Sequence, residues 1–402
     1  MPRMTAPTAD PGTRPVVAIL TAHWGADGED GWITRQVAGA LACYGDVHIV
    51  TPDGTEAGSS TDGVFTLHRL ATPLAREHEL ERDLLVQAFR ATGTSDDIAG
   101  SETVRRLLDR GLVDSWDGAT AVLDRLRPDR TVIVGHRNVG ALEALDRHRP
   151  SVPYVLLALA ADDDGIACPR FDALITRAAS VLAVTEPERG SIVAHHGRAD
   201  TVRQVGAPLS ANPSARSEPN TWVGDSQYIL VLTGVGREDE STENELCQLI
   251  RMRFPDRPVG ISHTDAFCAW HEGRLMNGWP IERSSDLARL LAFAAVTVDF
   301  RPGNLFARRA LESLLYGAPI IVPAGSRAAD HARDGRAGLW FRGPAELVGC
   351  IEALLEPSAH SVVVAQGRAY AESEYGSTRQ FISRVTASCD LTDPTASVGA
   401  ST

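Results

Sequence analysis

The sequence predicts an α/β protein of two doubly wound, Rossmann-like domains, and three observations predict it. Short β-branched runs alternate with longer helical patterns through the 402 residues, as parallel strands joined by crossover helices do. A single core rarely grows past roughly 250 to 300 residues, so the length calls for about two. A stretch with three prolines and no periodicity, Gly206 to Asn220, separates two sets of strands and reads as the linker.

Taken in order, residues 1–14 are rich in Pro, Thr and Ala and are expected to be disordered. The first domain, 15–205, has expected strands at Val16 to Thr21, Val47 to Thr51, Thr131 to Val134, Val152 to Leu157 and Val181 to Val184. Between about 54 and 130 the sequence shows helical patterns, such as Glu81 to Arg90 and Glu102 to Asp109, and no clear strand. That insertion is an acceptor-side surface or a helical cap on the core. After the linker, 206–224, the second domain, 225–389, has expected strands at Tyr228 to Leu232, Val259 to Ser262, Val296 to Asp299, Pro319 to Val322 and Gly338 to Phe341. A tail of Ser, Thr and Ala, 390–402, is again expected to be disordered.

Charge and cysteine usage exclude several classes. The formal net charge is −13, from 52 acidic against 39 basic residues, and every basic residue is arginine. Without a basic patch or run, no nucleic-acid partner is expected. Cys43, Cys168, Cys247, Cys268, Cys350 and Cys389 form no Cys-x-x-Cys pair; they read as thiols of a reducing compartment, and no metal site is expected. The N-terminus lacks the apolar core of a signal peptide, and no apolar run approaches the roughly 18 residues that span a bilayer. The expected location is cytoplasmic, whether free or peripheral at a membrane.

In open α/β sheets ligands lie off the carboxyl ends of strands, and four loops at such ends carry candidate residues. The first expected strand is followed by His23-Trp-Gly-Ala-Asp-Gly28-Glu-Asp-Gly31, a glycine-spaced turn before a helix. These glycines serve a ligand or only the turn. Gly135-His136-Arg137-Asn138 follows the strand ending at Val134; His136 is either a donor to a sugar hydroxyl or phosphate, or a satisfied structural histidine. Thr233-Gly234-Val235-Gly236-Arg237 lets the backbone come close to a ligand, with Arg237 able to fork onto a pyrophosphate or simply to lie in a solvated turn. Thr242-Glu-Asn-Glu245 then reads as a capping box that starts the next helix.

The fourth loop is the most informative. Arg301-Pro-Gly303-Asn304-Leu305 opens a helix with Leu305, Ala310, Leu311, Leu314 and Leu315 on one side, closed by Gly317 and followed by a buried strand. Backbone amides at such a helix start can hold a phosphate without lysine. Asn304 and Glu312 are eight residues apart, about two turns, which predicts that they share a face.

At these loops the chain resembles the GT-B glycosyltransferases, specifically family 4 of the retaining, nucleotide-sugar-dependent enzymes. The resemblance is strongest from Asp286 to Trp340, through Leu311-Glu312-Ser-Leu-Leu-Tyr-Gly317-Ala-Pro-Ile-Ile-Val-Pro323 and Asp334-Gly-Arg-Ala-Gly338. Elsewhere it lies in the order and spacing of elements. It implies two domains facing across a cleft, the second binding the nucleotide-sugar donor, with the last helices, near Arg368 to Val385, packing back on the first. Residue by residue it implies Glu312 at the nucleotide ribose, Arg237 on the donor pyrophosphate, His136 near the donor sugar, and Gly28 and Gly31 in the first domain's glycine loop. Gly236, Gly303 and Leu305 join them as expected donor-binding positions.

Three departures qualify what is carried over. The family's first motif glutamate is Asn304 here, the lysine five residues after the arginine is Thr242, and the usual Asn-Gly-Val-Asp linker is absent. Arg301 is the candidate substitute for the lysine, or a partner of Asp299 or Glu312. The resemblance thus implies a hexosyltransferase that retains configuration, needs no metal and takes the nucleotide sugar as substrate with no further cofactor. Its acceptor, a glycan, lipid-linked or small molecule, is not named by the sequence. The alternatives are an inactive GT-B scaffold that binds a nucleotide or glycan, and a sugar-nucleotide hydrolase or epimerase on the same fold.

Overall fold

The computed structural model describes residues 14–22, 24, 29–54, 57–71, 116, 118–135, 138–150, 152–159, 169–209, 227–233, 240–262, 266–271, 274–280, 284–300, 306–326, 328–334 and 336–391. The expected disordered ends up to residue 13 and from 392, the helical patterns at Glu81 to Arg90 and Glu102 to Asp109, and the linker from residue 210 lie outside the described residues. The chain divides into two compact units, Met1–Gly206 with Arg379–Thr402, and Ala207–Thr378.

In chain order the first unit runs β1 (Val16–Leu20), α1 (Glu29–Leu41), β2 (Asp46–Gly54), β3 (Gly58–Asp62), β4 (Phe65–Ala71), α2 (Ala119–Leu126), β5 (Arg130–Val134), α3 (Val139–His148), β6 (Val155–Leu157), α4 (Pro169–Arg177), β7 (Ser180–Ala183), α5 (Glu186–His196) and β8 (Val202–Gln204). Its sheet has the order β3-β4-β2-β1-β5-β6-β7-β8. All neighbours are parallel except β3 with β4. Val17 to Leu20 and Thr131 to Val134 are buried without alternation, as strands covered on both faces must be. Around them Trp116, Tyr154, Phe171 and Leu174 build the core.

Two expectations for this unit are corrected. A β3–β4 hairpin occupies part of the stretch read as lacking strands. Asp62 pairs with Phe65 across Gly63, which takes a positive φ of 63°, and Val64, a two-residue turn that glycine favours. Every residue of β3 is exposed, so no hydrophobic alternation announces it. Strand β6 begins at Val155 rather than Val152, because Pro153 has no N–H to enter a ladder.

The second unit runs β9 (Tyr228–Leu232), α6 (Glu240–Arg253), β10 (Val259–Ser262), β11 (Ala266–His271), β12 (Arg274–Pro280), α7 (Ser284–Phe293), β13 (Ala294–Asp299), α8 (Arg308–Tyr316), β14 (Ile320–Pro323), α9 (Ala328–Asp334), β15 (Gly338–Phe341), α10 (Pro344–Leu355) and α11 (Pro357–Tyr375). The sheet order is β12-β11-β10-β9-β13-β14-β15. The β11–β12 hairpin, whose β11 pairs antiparallel with β10, is a further element the sequence reading missed. Gly260 in β10 makes room for it: a Cβ there would lie 2.5 Å from the Phe267 ring and 2.9 Å from that of Tyr228. Helix α6 starts at Glu240, so Thr242 stands inside its first turn and is not its cap.

The last helix, α12 (Thr378–Ser388), returns the chain to the first unit. There the Arg130 Nε donates to the Cys389 carbonyl at 2.9 Å, while Phe381, Val385 and Leu391 are buried. Among the described residues no single helix is long and apolar enough to cross a membrane.

Candidate functional site

Each sheet reverses its strand order once beside its first strand. In the first unit β2 lies on one side of β1 and β5 on the other; in the second β10 and β13 flank β9. Such a switch point leaves the two connecting segments free to diverge at the carboxyl edge, which opens a crevice for a ligand. The four loops singled out from sequence follow β1, β5, β9 and β13, and so leave their sheets at these two switch points.

In the first unit Asn138 ties two strand ends together. Its Nδ2 donates to the Val134 carbonyl at 3.1 Å and reaches the Leu20 carbonyl at 3.4 Å, joining the last residues of β1 and β5. Gly135, at a φ of +98°, turns the chain out of β5 in a conformation that favours glycine, and its N–H donates to Leu157. The loop after β1 is tied on its far side, where Trp24 Nε1 donates to Asp62 at 2.9 Å and the Trp24 carbonyl accepts from Arg35. Gly31 is buried as the third residue of α1, within the helix and not in the turn before it.

In the second unit Ser262, Leu232 and Asp299 form a row across the carboxyl edge, by the pairing of β10 and β13 with β9. Thr233, Ser262 and Asp299 are all buried. Helix α8 rises from the segment after β13, and it is fastened along its length. Ser313 Oγ lies 2.6 Å from Thr297 Oγ1 on β13 and donates to the Ala318 carbonyl. At the tail Gly317, at a φ of +83°, donates to Leu314, and Ala318 donates to Ser313, the paired bonds of a Schellman cap. Arg368 of α11 adds two donors to the Leu315 carbonyl, placing a cation at the negative end of the helix dipole. The crossing of α8 and α11 is close, since a Cβ on Gly367 would lie 3.0 Å from Leu314.

The head of α8 differs from the expectation. Ala307 precedes it in the left-handed region, at φ 53° and ψ 47°, and is buried. The helical count from Glu312 therefore ends at Arg308, and helical phase does not place position 304 on the face of Glu312. Glu312 itself is mostly buried and accepts from Arg308 Nε at 2.8 Å. The Phe306 carbonyl lies 3.1 Å from Nε2 of His331, a buried histidine on α9 that the sequence reading did not single out. No spacing signal could have found it, because its partners are 25 and 39 residues away.

Of the residues expected at the site, Gly31 and Glu312 are placed. Gly28, His136, Gly236, Arg237, Arg301, Gly303, Asn304 and Leu305 lie outside the described residues. Among the described residues no three His, Cys, Asp or Glu side chains cluster as metal ligands would.

Comparison with known structures decides the architecture. A sucrose-phosphate synthase from Thermosynechococcus elongatus superposes with a TM-score of 0.62 at 14% identity, over 92% of this chain and 97% of that one. The fold is GT-B. An α,α-trehalose-phosphate synthase (UDP-forming) from Burkholderia vietnamiensis shares the GT-B fold with a TM-score of 0.63 at 11% identity, over 94% and 99% of the two chains. The Anabaena protein HepE, solved in complex with UDP-glucose, gives 0.58 at 12%, over 94% and 100%. No protein-family model and no curated protein sequence matches the chain. The likeness thus lies in the GT-B fold, with little of it left in residue identity.

Proposed function

We infer that this chain transfers a sugar from a nucleotide-sugar donor to an acceptor hydroxyl, as a retaining hexosyltransferase that needs neither a metal nor a separate cofactor. The observation that carries this reading is the whole-chain likeness, in both directions, to synthases and to a protein solved with UDP-glucose, and it is supported by the switch point in each sheet, after whose strands the candidate residues follow in sequence. A UDP-sugar is the favoured donor. On this reading Glu312 holds the ribose, with Arg308 fixing its carboxylate, and Gly236, Gly303 and Leu305 let the backbone approach the phosphates. Arg237 and Arg301 supply the positive charge that stabilises the leaving diphosphate as the sugar becomes cationic. His136 and Asn304 bond the sugar hydroxyls, and Gly28 lets the backbone after β1 approach the ligand, with Gly31 buried in the helix that follows.

The test is a thermal-shift series with UDP-glucose, ADP-glucose and GDP-mannose, followed by product analysis. A donor at 100 times its dissociation constant should add about 2.7 kcal/mol of stability, and the product should keep the donor's anomeric configuration, with and without EDTA. A chain unmoved by every nucleotide sugar would overturn the reading. Asn304 and Thr242, where the resembled family has glutamate and lysine, favour a second reading in which the chain binds a nucleotide without transferring sugar. Binding with no turnover under any acceptor would select it.

A further inference from the structure

We propose that His331 is a positioning residue of the donor site: by holding the Phe306 carbonyl it keeps Ala307 left-handed and so aims the first turn of α8. The proposal rests on the functional reading above, because what is aimed is the helix end taken to face the donor phosphates. Its physical basis begins with the ring. His331 is 1% exposed, with Nε2 at 3.1 Å from the Phe306 carbonyl and Nδ1 at 2.9 Å from the Tyr370 hydroxyl. A carbonyl only accepts, so Nε2 carries a proton and donates; in the neutral ring Nδ1 then accepts from Tyr370. Tyr375 packs edge-on against the same imidazole. Both nitrogens are therefore bonded, and the ring has one orientation.

Ala307 supplies the reason such a tether is needed. Its backbone sits at φ 53° and ψ 47°, where a Cβ crowds the following carbonyl. Asparagine or aspartate can ease that conformation with a local hydrogen bond, but alanine has nothing to offer. A left-handed alanine persists only where its surroundings hold it, and residues held this way concentrate at ligand sites. The Thr297–Ser313 bond holds the middle of α8 and Arg368 its tail. Neither touches the two residues that set where the helix begins and which way its leading amides point. The His331 bond does, one residue from the outlier.

The experiment measures UDP-glucose, ADP-glucose and GDP-mannose affinity by calorimetry, alongside melting temperature, for variants of the full chain. His331→Leu should weaken binding by about fivefold or more, the loss of roughly one hydrogen bond's worth of positioning. His331→Gln, whose terminal amide can reach the place of Nε2, should stay within about twofold of the wild type. Ala307→Gly in the His331→Leu background should bring affinity back to within about twofold, since glycine adopts the left-handed conformation without a tether. A purely structural role for His331 predicts otherwise: the melting temperature falls in His331→Leu, affinity is unchanged, and Ala307→Gly does nothing to binding. That result overturns the proposal alone. A wild type that binds none of the three nucleotide sugars overturns the functional reading and this proposal with it. If His331→Leu does not fold, Tyr370→Phe, which removes the partner of Nδ1, must weaken binding by about twofold or more; unchanged affinity there overturns the proposal as well.

Discussion

Glu312 shares its carboxylate with Arg308, and that pairing governs what a second carboxylate near the same helix would do. On the proposed function, replacing Asn304 by glutamate restores the resembled family's residue but adds a negative charge beside the donor phosphates, with Thr242 in place of a balancing lysine. Asn304→Glu should therefore lower kcat/KM for the donor by about tenfold, and adding Thr242→Lys should recover part of the loss, because neighbouring charges couple. Steady-state kinetics of the single and double variants checks this; a double variant no better than the single one would remove the charge-balance argument. A second pair concerns stability. His48 Nδ1 and His68 Nε2 lie 3.1 Å apart on β2 and β4, and the buried Nδ1 of His68 has no partner. A buried N–H without a partner costs more than a bare lone pair, so His68 donates from Nε2 to His48. Burial lowers the pKa of both rings; His48 and Arg125 push His68 further down, while Asp46 opposes the fall at His48. Below the ordinary histidine value of about 6.5 the unfolded chain takes up protons that the folded pair refuses. Stability should thus be flat above pH 7 and fall as the pH drops toward 5, a trend that His68→Phe reduces; urea melts at pH 5, 6 and 7.5 read it.

At the scale of elements, close backbone approach makes some positions intolerant. A Cβ on Gly338 would lie 1.9 Å from the Ile320 carbonyl oxygen across the β14–β15 pair. Because the obstacle is backbone, no rotamer relieves it, and Gly338→Ala should cost about 2–4 kcal/mol, measured as a shift in the denaturant midpoint with m unchanged. The strands around it show what a sequence reveals. Tyr228–Leu232 and Val259–Ser262 carry the bounds expected of them, since strands buried on both faces are continuous and need no alternation to be read; Gly338–Phe341 keeps its expected bounds too, as an edge strand with Trp340 exposed. The exposed β3, Gly-Ser-Ser-Thr-Asp, has no such run, and its only signal is the Asp62-Gly63 turn. The candidate site was legible where it depends on neighbours in sequence, as in the Gly317 cap of α8. It was illegible where residues meet only through the fold, as His331 meets Phe306, Arg368 meets Leu315, and Asn138 meets Leu20.

For the whole molecule the decisive element is α12, which belongs to the first unit although it follows the second in sequence. Deleting residues 379–402 uncovers the surfaces against which Phe381 and Val385 are buried and removes the acceptor of the Arg130 bond. Each lost apolar side chain is worth about 1.5–3 kcal/mol. The expected result is a first unit that exchanges its β1 and β5 amides faster while β9 and β13 keep their protection, followed by hydrogen exchange and mass spectrometry. Equal loss in both sheets would show that α12 serves the second unit as much as the first.

The same path of the chain has a consequence for how the protein is made. The second unit is one unbroken segment, 207–378, and emerges from the ribosome whole, whereas the first unit waits for residues encoded after it. Until α12 has followed the second unit out, the nascent first unit carries the uncovered seat of Phe381 and Val385, an apolar surface of the kind that chaperones hold and that aggregates form on. The unit begun first is finished last.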